Sequence, residues 1–371
     1  MQVETIALLS ETPGRQISLR VLRFGAAGAG PKAMVQAALH ADEVPAMLVA
    51  QQLRRRLLQL EADGQLTGQV LLVPYANPLG LSQQLLGHTQ GRFDLRDGVN
   101  FNRAYADLAP AVAVAVGSRL GSDAVANAVL IRQALTHAAQ ALKAKHPAQD
   151  LKNRLLQLAA DCEVVLDLHC DSQAVMHLYA LTPQADAAHE LGALLGARAV
   201  LLATESGDSP FDEACSRPWL QLQQQFDAAA VPLGCFCATV ELRGLADTAH
   251  ALAAQDAEAL VEFLRRRGIV GGMLAALPAA LCVPTSLAAS EPIVAPTTGV
   301  VVFHRAPGDR VGAGETIADI VDVDSGDITA VRTQSAGVLY ARIATRWATR
   351  GDRLAKVAGT SLARTGKLLS A

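Results

Sequence analysis

Val164-Val165-Leu166-Asp167-Leu168-His169 is an apolar run broken by one carboxylate and closed by an imidazole. It is too short for a core helix and rich in β-branched side chains, so residues 163–168 are expected to form a buried strand. His169 then stands at the strand's carboxyl end, the place where ligands bind in open α/β sheets. On either side, short apolar runs alternate with helical periodicities. Strands are expected at 17–24, 34–39, 69–74, 175–181, 199–203 and 235–241. Helices are expected at 44–63, largely through 122–160, and at 248–267. Alternating strands and helices predict an α/β layer fold with a mostly parallel sheet. Gly25, Gly28 and Gly30 are spaced GxxGxG and lead into a strand, whereas a dinucleotide loop has GxGxxG spacing and leads into a helix, so that reading is set aside.

Near 283–298 the composition shifts to a Pro-, Ser- and Ala-rich linker, and beyond it short Gly-punctuated strands replace helical periodicity. An internal repeat is visible there. Gly299-Val-Val-Val precedes Gly308-Asp309-Arg310-Val311, and Gly337-Val-Leu-Tyr precedes Gly351-Asp352-Arg353-Leu354. Aligned on those motifs, the second copy carries about five extra residues. Two such halves resemble the biotinyl/lipoyl-carrier barrel. Residues 321–336 lack the lysine that such a carrier modifies, so a swinging-arm role is not expected. The expected organisation is a unit at 1–285 followed by a β-rich, barrel-like unit at 286–371.

The chain has 371 residues, 51% of them hydrophobic and 18% charged, which excludes disorder as the main state. With 32 Lys+Arg against 35 Asp+Glu, the net charge of −3 argues against a nucleic-acid partner. Six cysteines without a CxxC pair imply neither a disulfide framework nor a cysteine zinc site. No signal peptide and no membrane-spanning stretch are visible, so a soluble cytoplasmic protein is expected. A homo-oligomer is compatible with these features.

Four segments carry possible chemistry. His40-Ala41-Asp42-Glu43 sets an imidazole and a carboxylate three residues apart after a strand, a pair that either binds one cation or caps the following helix. His169 is the best candidate for a third ligand, the alternative being a satisfied core histidine. Asp167, two residues before it, is read as pointing to the other face of the strand, or else as orienting a ligand histidine. Glu241 ends the strand 235–241, where it is either a general base or an ion-pair partner of Arg243. His177, inside the next strand, is read either as packing or as a residue backing a ligand. The segment 92–103 carries Arg92, Arg96, Arg103, Asn100 and Asn102 around an Asp-Gly turn, and either grips an acidic substrate or is a solvated loop.

HADE, an Asn-Arg loop, DLH and a Val-Glu strand, in this order over roughly residues 15–275, resemble the succinylglutamate desuccinylase/aspartoacylase family. The resemblance implies a zinc-carboxypeptidase-like mixed sheet flanked by helices, with the smaller all-β barrel-sandwich module behind it. It implies one Zn2+ per chain on His40, Glu43 and His169, with Glu241 as general base and proton donor. It further implies that Asn102 and Arg103 grip the substrate carboxylate. Arg92, or second Arg96, would polarise the scissile carbonyl. The expected activity is hydrolysis of a small N-acyl amino acid. A metallocarboxypeptidase and a non-catalytic binding protein are the competing readings. The chain departs from true aspartoacylases in a helical insert at about 120–160 and in its C-terminal module, so the acyl amino acid pocket cannot be matched.

Overall fold

The computed structural model describes residues 1–369. One sheet contains β1 (Gln2–Ala7), β2 (Ser18–Phe24), β3 (Lys32–Ala37), β4 (Gln69–Val73), β5 (Val164–Asp171), β6 (His177–Leu181), β7 (Ala199–Ala203), β8 (Phe236–Gly244) and β9 (Thr285–Ser286). Their order is β1-β2-β4-β3-β5-β8-β6-β7-β9. Strands β4, β3, β5 and β8 run parallel, but β6 is antiparallel to β8 and carries β7 and β9 with it. The sheet is therefore mixed, although five of its eight neighbouring pairs are parallel; the antiparallel ones are β1/β2, β2/β4 and β8/β6. Strand β6 reverses because the connection from β5 is only residues 172–176, too short for the crossover a parallel return requires.

Helices α1 (Pro45–Ala62), α5 (Ala185–Leu195) and α7 (His250–Arg266) cover one face, while α2 (Ala109–Val116), α3 (Ala124–Ala141), α4 (Pro147–Ala159) and α6 (Phe211–Gln225) cover the other. The sheet's pleat divides the side chains between them. Val164, Leu166 and Leu168 pack into the first layer, and Val165 packs into the second. Asp167 and His169 share Val165's parity and its face. The expectation that Asp167 points away from His169 is thus corrected, because residues two apart in a strand lie on one side.

Eight strands follow: β10 (Glu291–Val294), β11 (Gly299–Phe303), β12 (Arg310–Val311), β13 (Thr316–Val321), β14 (Ile328–Arg332), β15 (Gly337–Arg342), β16 (Trp347–Ala348) and β17 (Arg353–Gly359). They form two four-stranded sheets, β10-β17-β15-β12 and β14-β13-β11-β16, over a core including Ile317, Ile320, Leu339 and Leu354. Each sheet takes its central pair from one half of the repeat and its outer pair from the other. Equivalent strands begin 37 or 38 residues apart, at 291 and 328, 299 and 337, 310 and 347, and 316 and 353. The spacing holds to within one residue, so the second copy carries no five-residue insertion. The two Gly-Asp-Arg motifs are not equivalent: the first leads into β12, the second into β17, whose counterpart is β13.

This module is joined to the large sheet by backbone. Directly after β5, the short strand Gln173–Ala174 pairs antiparallel with β15, with Ala174 opposite Ala341 and Gln173 opposite Arg342. Val175 N donates to Tyr340 O at 3.0 Å, and Ala344 N donates to Ser172 Oγ at 2.8 Å.

Candidate active site

The loop after β3 turns sharply through Ala38, which is fully buried with a φ of 57°. A left-handed alanine is strained, and such strain persists only where packing enforces it. The turn sends His40 over the sheet edge, and Pro45 then starts α1 directly after Glu43 and Val44. Gly91 lies against this loop so closely that a Cβ there would sit 2.1 Å from Asp42 N. Glycine at 91 therefore lets the second loop press onto the first and deliver Arg92 beside Glu43.

His40, Glu43 and His169 converge, with one donor atom from each within 4.8 Å of the others. Glu43 lies between the rings: Oε1 is 2.9 Å from His40 Nδ1, and Oε2 is 2.8 Å from His169 Nδ1. The far nitrogens are also engaged. His40 Nε2 sits 2.9 Å from Asn100 Oδ1, and His169 Nε2 sits 2.9 Å from Asp167 Oδ2. Asp167 is itself held by Gln36 Nε2, which donates to Oδ1 at 2.9 Å. Asn100 Oδ1 behind His40 fixes that ring's Nε2–H tautomer and turns its Nδ1 lone pair toward Glu43, while the Asp167 carboxylate lies against His169 Nε2 as an ion-pair partner; an oxygen behind each ring supports a metal-ligating imidazole. Three lone-pair donors facing one point in a buried setting suit a divalent cation, and two imidazoles with one carboxylate leave further coordination positions open.

The electrostatics agree with that donor set. Burial lowers His40 to about 4, so it is neutral at pH 7. Burial alone would also depress His169, but Asp167 and Glu43 outweigh it and hold this imidazole well above its ordinary range. Burial would raise Glu43, and the two imidazoles overcome that and keep it ionised. Without a metal, a proton on His169 supplies the positive charge between the two carboxylates. Asp167→Asn should weaken metal binding by roughly 10- to 100-fold, the usual cost of losing a partner behind a ligand histidine. Competition against a chelator of known affinity would measure it.

Glu241 lies directly across from His169 in the β5/β8 register and opposite His177 on β6. Its Oε2 is buried and has no hydrogen-bond partner among the described residues. Arg243 does not pair with it: that residue, at φ 69°, turns to Asp256 instead. Burial, reinforced by the charges of Glu43 and Asp171, pushes the Glu241 carboxyl up to about 8. The native metal-free protein therefore holds a proton there that the unfolded chain, at the ordinary value of 4.5, has already released. Stability attributable to this group falls as pH rises from about 4.5 through about 8. Metal-free Glu241→Gln should gain on wild type across that window, at about 1.4 kcal/mol for each pH unit between the two values. Denaturant melts at several pH values would test this, and parallel curves would contradict it.

The remaining candidates separate cleanly. Arg92 Nη1 is 3.1 Å from His40 Nδ1 and 3.4 Å from Glu43 Oε1. Arg96 lies outside the cavity, facing Glu11, Asp94 and Asp97. Asn102 is buried, its Oδ1 accepting from Phe211 N at 2.9 Å, and Arg103 Nη1 donates to Asn102 O at 2.6 Å. His177 is packed between Tyr179 and Tyr340, with Nδ1 2.8 Å from Val175 O, and burial lowers it to about 4.

His40, Glu43, Arg92, Asn102, Arg103, His169 and Glu241 all line one cavity of about 310 Å3. Several contributors were missed in the sequence. Lys152, in the helical insert, donates to Asn100 O at 3.2 Å and Arg103 O at 2.7 Å, and so supports the Asn-Arg loop from behind. Asp212, which burial raises to about 7, enters from α6, and Arg353 and Lys356 enter from β17. Lys356 is ion-paired with Asp171 at the end of the His169 strand. No local pattern ties Lys356 to the site, because 185 positions of chain separate it from Asp171.

Fold and site together define a class: a layered, mixed-sheet α/β protein with a two-histidine, one-glutamate set able to hold a metal ion at its strand ends. The chain belongs to the succinylglutamate desuccinylase/aspartoacylase family, whose catalytic domain model matches residues 29–267. That family is one of deacylases. A family protein from Shewanella amazonensis SB2B has a similar structure, with a TM-score of 0.84, 26% identity, and coverage of 96% of this chain and 98% of that one. One from Shewanella frigidimarina NCIMB 400 gives a TM-score of 0.86 at 24% identity, covering 97% of each chain. The product-bound ectoine utilization protein EutE (DoeB) from Ruegeria pomeroyi shares the fold, with a TM-score of 0.68, 16% identity and coverage of 97% and 95%. No curated protein sequence matches the chain. Among the described residues, no helix is long and apolar enough to cross a membrane.

Proposed function

We propose that the protein is a zinc-dependent deacylase that hydrolyses the amide bond of a small N-acyl amino acid. The observation that carries this reading is the convergence of His40 Nδ1, Glu43 and His169 Nδ1 beside the partnerless Oε2 of Glu241. A zinc ion on the three ligands would supply Lewis acidity and make a water molecule acidic enough to react near neutral pH.

The chain's own groups then have distinct tasks. Glu241 Oε2 accepts the proton of the attacking water and returns it to the leaving amine, a role suited to a carboxyl whose proton affinity is raised by its surroundings. Arg92, beside Glu43 and His40, donates to the carbonyl oxygen as negative charge develops there. The Asn102 amide and the Arg103 guanidinium hold the substrate carboxylate, so binding energy fixes the orientation of the scissile bond. Asp167 and Asn100 keep the ligand imidazoles aimed.

The β-rich module, which we read as a biotinyl-like barrel-sandwich following a division near 285, walls the cavity through Ile343, Arg353 and Lys356. A wall at that position favours a small substrate over a peptide. Metal content per chain, measured beside hydrolysis of a panel of N-acyl amino acids with and without chelator, tests the reading. About one zinc per chain with chelator-sensitive hydrolysis is expected. A protein that neither holds nor takes up metal would overturn it.

A further inference from the structure

Between α7 and β9 the chain runs through residues 271–284 without helix or strand. No Asp, Glu, Lys or Arg occurs over 268–290, and over 272–283 every residue except Cys282 is exposed. Met273 is 94% exposed, Leu274 57%, Leu277 45%, Leu281 53% and Val283 75%. With the alanines between them, these side chains open on the order of 800 Å2 of apolar surface to solvent, above the roughly 300–600 Å2 of the largest patch on a typical monomer.

This strap is held in place. Arg265 Nε donates to Gly271 O at 3.0 Å, Ala275 N donates to Glu262 Oε1 at 3.1 Å, and Arg266 donates to Ala275 O. Further along, Cys282 Sγ donates to Ala197 O at 3.3 Å. The charges at its border are matched within the chain: Arg265 with Glu262, Arg266 with Glu190 and Glu262, and Arg267 with Glu190. The strap is thus presented in one conformation, which lowers the ordering cost of binding. A partner recognised through charge finds no charge on it, so the partner surface is itself apolar.

We propose that the strap is the interface of a homodimer, covered by the same strap of a second copy about a twofold axis. Its area matches the roughly 800 Å2 that each partner contributes to a standard stable interface. An uncharged patch meets its own copy without opposing like charges. Among the described residues, the backbone amides of 276–283 donate to no backbone carbonyl, and an extended segment of a second chain can accept from them. A lipid surface cannot, because amides left unpaired in hydrocarbon are costly. Pro278 and Pro284 interrupt longer pairing, so the contact closes at two chains instead of growing along the sheet edge. The proposal is independent of the deacylase reading.

Sedimentation velocity of the full chain from about 1 to 100 μM tests it, a range set by the micromolar or tighter affinity of interfaces of this size. The wild type should be a dimer. Met273→Asp and Leu277→Asp each place a charge in the patch, and the twofold axis counts each change twice. The dissociation constant should therefore rise by roughly 100-fold or more. Met273 is almost fully exposed, so its replacement leaves the fold of the single chain intact, which circular dichroism would verify. Val114→Asp, at an 89% exposed position of α2 on the other helical layer, should leave the dimer unchanged. A wild type that stays monomeric at 100 μM would overturn the proposal. So would a dimer that survives both strap substitutions, or one that Val114→Asp breaks as readily. Strap-dependent binding of a monomeric protein to phosphatidylcholine vesicles would assign the patch to a membrane surface instead.

Discussion

Replacing Glu241 with Gln should leave the metal content of the purified protein unchanged and lower turnover by roughly 10²- to 10⁴-fold, the range that positioned acid–base groups contribute. Glutamine has nearly the same shape and volume, so the packing around β8 is kept. What it lacks is an oxygen that can take up a proton and give it back. Because Glu241 is not among the three converging donors, its loss separates proton transfer from metal binding. Initial rates on the best substrate of the panel, with metal measured on the same sample, would decide the matter. Normal turnover in Glu241→Gln would remove the residue from the chemistry and require another base along the cavity, with Asp212 next in line.

His40→Ala and His169→Ala should each bring metal content below about a tenth of an ion per chain after gel filtration, with activity falling to background. The two variants should differ in stability. His40 is the neutral ring, and its removal leaves Asn100 able to turn toward other donors. His169 stands between Glu43 and Asp167, and without it two buried carboxylates face one cavity. Breaking a buried pair by deleting one partner costs about 3–5 kcal/mol, so His169→Ala should also lower the melting temperature of the metal-free protein substantially. Elemental analysis and thermal melts measure both effects. Full occupancy in either variant would contradict the ligand assignment.

The large sheet and its helices were partly legible because many of their signals are local. The run 163–168 became β5, which extends three residues further, the run 199–203 became β7, and the periodicity over 44–63 became α1 within a residue at each end. His40, His169 and Glu241, which the structure brings to one cavity, stood out in the sequence because each closes an apolar run. Helix α6 was not found, since Pro218 and a mixed polar surface hide its period. Asp167 was placed on the wrong face through a slip in parity. The repeat was recognised but misaligned, because the Gly-Asp-Arg motif recurs at turns that are not equivalent. Arg353 and Lys356 could not be tied to the site at all. Their approach depends on how two separately patterned regions pack, which has no marker in the local sequence.

The pairing of Gln173–Ala174 with β15 also orders events during synthesis. Domains tend to fold from the amino terminus as the chain emerges from the ribosome. His40, Glu43, His169 and Glu241 are all made before residue 245, whereas the wall carrying Arg353 is made more than a hundred residues later. A nascent chain thus owns its donors well before it owns the side of the cavity that closes over them. Until the last strands are translated and dock, the strand end next to His169 is an open edge.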